Sequence, residues 1–159
     1  MTGEDQNFVE LSNARREDQK KVLEQIIADG VCPFCRENLV KYHKNPILKE
    51  GKYWLLTENQ WPYIYTKHHY IAIYKTHQES IIDIDSEAGS ELIKLFQELV
   101  RQENIPGGAV AIRFGSNSKF GNYGSSVRHI HAHLIEPDLE NPEKIAIKFK
   151  IGDPKGRKK

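Results

Sequence analysis

The stretch Arg128-His-Ile-His-Ala-His-Leu-Ile-Glu-Pro137 alternates histidine with apolar residues. A period of two is the repeat of an extended strand, so His129, His131 and His133 share one face while Ile130, Ala132 and Leu134 share the other. The apolar face calls for a helix to cover it, which leaves the histidines lining a surface. Neighbouring histidines on such a strand stand about 6 to 7 Å apart, and the outer two about 13 Å. A zinc ion with bonds of about 2.0 to 2.1 Å cannot gather the outer two of an extended row. The row is therefore divided, one end being available to a metal and the rest to chemistry. A neutral imidazole is a nucleophile or base near pH 7, and an imidazolium neutralises a phosphate.

The elements around this strand are predicted from period and punctuation. A helix is expected over Ala14 to Asp29, with Val22, Leu23, Ile26 and Ile27 on one stripe and Gly30 as its stop. Strand-like pieces follow around Leu39 to His43 and Lys52 to Thr57. "HHYIAIYKTH" then reads as a longer strand. Asp85 or Ser86 caps a second helix, whose Leu92, Leu95, Phe96 and Leu99 repeat at helical spacing until "NIPGG". "AVAIRFG" and "IAIKFKI" read as further strands. The expected fold class is α+β, one domain with a mainly antiparallel sheet and two main helices, because the strands are not separated by regular helices.

The chain has 159 residues, enough for one core, and no linker divides it. Residues 14–151 are read as the domain, 1–13 as a flexible start and 152–159 as a basic tail. With 23 basic and 22 acidic residues the net charge is +1, so no overall field makes a case for nucleic acid. A polar N-terminus without an apolar h-region, and the lack of a long apolar run, predict a soluble, cytoplasmic protein with no membrane association.

Between "AVAIRFG" and the histidine strand lies "GSNSKFGNYGSS", where glycines let successive N–H groups converge and serines add donors. Such a loop is a candidate anion site beside the histidines, although the Gly-Lys-Ser/Thr ending of a P-loop is missing. Cys32-Pro-Phe-Cys35 has zinc-knuckle spacing, and with no second cysteine pair, histidines must complete four ligands. His43, His68, His69, His77 and His129 are the candidates. A redox pair is the alternative, disfavoured because the motif follows a helix rather than opening one after a strand.

These residues resemble the histidine triad superfamily of nucleotide hydrolases and transferases, zinc-bearing branch. The signature His-φ-His-φ-His-φ-φ, with φ apolar, is met by His129 to Ile135, and "GSSV", "HHYIAIYKTH" and the Cys-x-x-Cys extend the match over roughly Cys32 to Pro137. The resemblance implies that His131 is the nucleophile and becomes nucleotidylated, while His133, Ser126 and the backbone around Gly124 hold the phosphate. It implies a structural zinc on Cys32, Cys35, His77 and His129. Asn59 resembles an asparagine near the ribose in phosphorylase and uridylyltransferase branches, and Asn117, or else Asn122, the asparagine of the phosphate loop. Ser125 stands where glutamine is common and Tyr74 where proline is usual, positions that shape leaving-group specificity.

The expected activity is hydrolysis at the α-phosphate of a nucleoside phosphoramidate or dinucleoside polyphosphate. A nucleotidyltransferase or phosphorylase would use the same intermediate, and a zinc-stabilised nucleotide-binding module would use the same pocket without turnover. Family members also form homodimers through the helix ahead of the triad and an adjoining strand, although the stripe Leu92, Leu95, Phe96, Leu99 reads first as core.

Overall fold

The computed structural model describes residues 7–158. Helix α1 spans Glu17–Asp29, α2 Arg36–Tyr42 and α3 Ser86–Gln102. The strands are β1 (Ile47–Glu50), β2 (Trp54–Glu58), β3 (Thr66–Tyr74), β4 (Ala109–Ile112), β5 (Gly121–Asn122), β6 (His131–Pro137) and β7 (Asp153–Pro154). Five of them form one antiparallel sheet in the order β1-β2-β3-β6-β4, and β5 pairs with β7 apart from it. The fold is α+β, with the two main helices expected, α1 and α3, and the short α2 besides them among the described residues.

One face of the sheet is closed by α3. The Asp85 carboxylate accepts from the Glu87 N–H and caps the helix. Leu92, Leu95, Phe96 and Leu99 then pack on Trp54, Leu56, Tyr70, Ala72, Ile130, Ala132 and Leu134. That stripe is core, and burying each large side chain contributes about 1.5 to 3 kcal/mol. Trp54 donates its indole N–H to the Ala88 carbonyl, so the largest side chain there leaves no polar atom unpaired.

The other face carries the histidines. Register pairs His131 with Ile73 and His133 with Ile71. Ile71, Ile73 and Leu55 pack with Leu39 of α2 and with Phe34. The row is consequently buried, at 2%, 7% and 5% exposure for His129, His131 and His133, and does not line an open surface as alternation alone suggests.

Three local expectations are corrected. Leu39 to His43 is not a strand, because the Cys35 carbonyl accepts from the N–H groups of Asn38 and Leu39 and starts α2, whose Leu39 and Tyr42 face inward. Residues 145–151 form no strand despite their alternation; Phe149 instead packs on the histidine face, its ring centroid 5.6 Å from that of His133. His129 precedes β6, held where the Ile130 N–H donates to the Gln78 carbonyl. At the N-terminal side, Val9 is fully buried and bridges Val127, and the Glu10 N–H donates to the Ser126 carbonyl. The described part of the expected loose start, residues 7–13, is thus packed on the triad's approach, and residues 1–6 lie outside the described residues. The C-terminal tail is anchored as far as β7, and residue 159 likewise lies outside them.

Candidate active site and metal centre

Cys32, Cys35, His77 and His129 come together from three separate segments, with one ligand atom from each lying within 4.8 Å of every other. His129 Nδ1 is 3.3 Å from Cys32 Sγ, 3.9 Å from Cys35 Sγ and 3.2 Å from His77 Nδ1, and His77 Nδ1 is 3.6 Å from Cys35 Sγ. Tetrahedral zinc with its usual bond lengths gives ligand separations of roughly 3.3 to 3.8 Å, so the donor set fits a metal ion. The outward nitrogens fit as well. His129 Nε2 donates to the Tyr74 carbonyl at 2.5 Å, which frees its Nδ1 lone pair for the ion, and His77 Nε2 lies 3.6 Å from Glu79 Oε1. These four residues are positioned to bind a metal. Of the other candidate histidines, His43 bonds Thr57 and His68 bonds Glu136, away from the thiols.

The remaining two triad histidines face a cavity of about 220 Å³. His131 donates its Nδ1–H to the His129 carbonyl at 2.7 Å, so the neutral ring keeps its lone pair on Nε2. Burial pushes its pKa down to about 4, which holds it neutral at ordinary pH. His133 is set by a relay that sequence reading missed. The Tyr63 N–H donates to His69 Nδ1, so neutral His69 carries its proton on Nε2, 2.9 Å from His133 Nδ1. His133 then accepts there and carries its own proton on Nε2. That atom is buried with no partner, a donor awaiting an acceptor. Burial, with the neighbouring charges, lowers the pKa of His69 to about 3 and that of His133 well below its ordinary value.

The glycine loop contributes Gly124 and Ser126 to the cavity wall. Gly124 has φ +93°, a conformation that favours glycine, and its N–H donates to Asn122 Oδ1. Asn117 instead reaches outward to Glu10, and the Ser125 hydroxyl turns back to the Val127 carbonyl; neither lines the cavity. Asn59 does line it, with Oδ1 accepting from the Trp61 N–H and Nδ2 lying 3.1 Å from His69 Nε2. Phe34, at the tip of the cysteine knuckle, stands edge-on to His131 with ring centroids 5.0 Å apart.

Besides the His69 relay, sequence reading missed Asn13, Arg15, Tyr63, Arg113 and Lys150, all of which line the cavity. For Arg113 a signal existed. Ala111 pairs with His133 across β4 and β6, and two residues on, strand alternation puts Arg113 on the same face. The others come from segments remote in sequence and carried no local mark.

A family model described as scavenger mRNA decapping enzyme C-terminal binding matches residues 31–148. Curated proteins return no match. Among solved structures, a zinc-bound histidine triad family protein from Mycobacterium smegmatis aligns with a TM-score of 0.54 and 22% identity, covering 75% of this chain and 82% of that one. A histidine triad protein from Clostridium difficile aligns with a TM-score of 0.52 and 21% identity, covering 69% and 94%. The fold, the intact His-φ-His-φ-His-φ-φ strand and a family match over most of the chain lead to one assignment: the chain belongs to the scavenger decapping C-terminal family of the histidine triad superfamily.

Proposed function

We propose that the protein is a hydrolase that attacks the α-phosphorus of nucleoside phosphate derivatives through a nucleotidyl-histidine at His131. The carrying observation is the pairing of two fixed tautomers on one cavity wall, a lone pair on His131 Nε2 beside an unpartnered N–H on His133 Nε2. His131 Nε2 forms the N–P bond as the bond from phosphorus to the leaving group breaks, and the electron pair departs with that group. His133 Nε2–H and the Ser126 hydroxyl, beside Gly124 on the same wall, donate to the phosphoryl oxygens as charge builds. Water then attacks phosphorus, the P–N bond breaks with its pair returning to His131 Nε2, and a water proton passes to solvent.

For the metal site we propose zinc, supported by the two-cysteine, two-histidine donor set. All four positions would be filled by protein groups, so the ion's role is to cross-link the knuckle, the chain after β3 and the start of the triad. Asn59 at the cavity favours a second reading, transfer of the nucleotide to phosphate or another acceptor from the same intermediate.

The test is turnover of nucleoside phosphoramidates, dinucleoside polyphosphates with and without inorganic phosphate, and nucleotide sugars, by the protein and by His131→Ala. Release of a nucleoside monophosphate that is lost in the variant supports hydrolysis, and phosphate-dependent release of a diphosphate supports phosphorolysis. Undiminished turnover by His131→Ala would remove the assignment.

A further inference from the structure

His133 Nε2 is the atom that an incoming ligand oxygen would have to meet, yet it is sealed from solvent. Four rings enclose the imidazole: His131 and His69, with centroids 4.9 Å and 5.2 Å away, Phe149 at 5.6 Å and Tyr63 at 6.2 Å. His131 and His69 belong to β6 and β3, so neither leaves without breaking the sheet. Tyr63 is fastened at both ends, by its N–H on His69 and by the Arg113 guanidinium on its hydroxyl. Phe149 comes from a stretch with no regular structure, and stands edge-on to His133 at 78°. It is the ring that can withdraw.

The stretch from Lys144 to Gly152 is held at its ends and loose between them. Among the described residues, no main-chain N–H from Ala146 to Ile151 finds a hydrogen-bond acceptor, and Ile151 is exposed. Few fixed bonds and little burial are the marks of a segment that opens at low cost. At the near end, the buried Asn141 side chain accepts from the Ile145 N–H and donates to the Ile145 carbonyl. At the far end, the Gly152 N–H donates to the Tyr123 carbonyl, and β7 pairs with β5. The main chain passes through the left-handed region at Lys144, φ +51°, and again at Gly152, φ +76°. Such a pair of end positions is where a hinge absorbs its change in dihedral angle.

Two fastenings press the middle down. Arg113 Cζ lies 3.6 Å from the ring centre of Phe149 while its Nε donates to the Lys150 carbonyl, and Lys150 Nζ donates to Asn13 Oδ1. In this position the stretch also crowds Gly124, where a β-carbon would stand 2.9 Å from the Lys150 carbonyl oxygen and 3.2 Å from the Gly152 nitrogen. The closed arrangement carries a standing cost, because the His133 N–H is buried without an acceptor. A ligand oxygen relieves that cost only once Phe149 has moved, so binding and opening form one equilibrium. Phe149 and Gly152 lie beyond the family-matched residues 31–148, so the plug and one hinge stand outside the matched framework.

We propose that Lys144 to Gly152 form a strap that closes the site in the ligand-free protein, with Phe149 as its plug, and that the strap swings off His133 when a nucleotide enters. The nucleotide as the opening ligand rests on the function proposed above, whereas the hinged strap does not.

Fluorine NMR of the full chain carrying 4-fluorophenylalanine in place of Phe149 tests it in two arms. Without ligand, the main resonance is expected to be shifted by the surrounding rings and to exchange with a minor, solvent-exposed one. Gly152→Ala should raise the exposed fraction about fivefold or more, because alanine disfavours the φ of +76° that the closed strap requires. Its β-carbon would meet nothing closer than 4.0 Å, so the substitution acts on the hinge and not through a clash. In the second arm, saturating adenosine or guanosine monophosphate, with binding followed by calorimetry, should move the label almost wholly to the exposed resonance. A bound nucleotide that leaves the packed resonance in place, or an exposed fraction that Gly152→Ala does not change, would overturn the strap. If neither nucleotide binds, the nucleotide reading of the site falls, and the Gly152→Ala comparison decides the strap by itself.

Discussion

His131 donates its Nδ1–H to the backbone carbonyl of His129, at 2.7 Å, so the residue positioned for metal also fixes the tautomer of the residue positioned for attack. One residue's side chain and main chain thereby serve two sites. His129 Nε2 spends its proton on the Tyr74 carbonyl and turns Nδ1 to the thiols, while its own carbonyl leaves His131 Nε2 free.

Replacing His131 by Ala is expected to abolish trapping of a nucleotide on the protein while nucleotide affinity stays within about tenfold, because the groups that bind ground state and transition state alike remain. Acid-quenched labelling with a radioactive nucleotide checks this, and a labelled His131→Ala protein would contradict it.

Cys32→Ser should lower bound metal, by elemental analysis, from about one ion per chain to a small fraction. Burial raises the Cys32 thiol to about 12, so a cation beside it is what sustains a thiolate. The expected loss is about 3 kcal/mol or more, roughly 10 °C in Tm for a chain of this size. Phe34 sits on the same knuckle, 5.0 Å from His131, so KM for the nucleotide should rise as well.

Gly124→Ala should cost about 1 to 3 kcal/mol, since φ is +93° and a β-carbon would lie 2.9 Å from the Lys150 carbonyl oxygen. Urea denaturation measures the loss. Because Gly124 lines the cavity, kcat/KM should fall in parallel, and a variant as stable and active as the parent would refute the assigned crowding.

Acid should destabilise the fold through its buried histidines. The folded pKa of His69 is depressed by burial, and next by Arg15, to about 3, below the unfolded value near 6.5. The unfolded chain therefore binds more protons, and this residue's contribution is present above about pH 6.5 and lost as pH falls toward the folded value. Between pH 7.5 and 5.0 the loss is about 2 kcal/mol from His69. Urea unfolding at the two pH values reads it directly, and His69→Gln should flatten the dependence by about that amount.

Short-range pattern made part of this molecule legible. Period two places three histidines opposite Ile130, Ala132 and Leu134 whatever surrounds them, and the repeat of Leu92, Leu95, Phe96 and Leu99 under an Asp85 cap specifies α3 locally. The same period misled at 145–151, because alternation reports which side chains differ and not whether the segment pairs with a strand. At Leu39 it lost to a helix start created by the Cys35 carbonyl.

By itself, then, the sequence determined the chemistry available: a histidine row that one metal cannot gather, a cysteine pair that needs histidines to complete it, and a glycine loop able to hold an anion. Tertiary structure alone decided how these groups are set. It turned Gly124 and Ser126 inward and Asn117 outward, fixed the proton of His133 through His69, and brought Arg15, Arg113 and Lys150 to one wall from three distant segments. The physical reason is that strand and helix periodicities act over a few residues, whereas tautomers and charge clusters depend on contacts that close only when the whole chain packs.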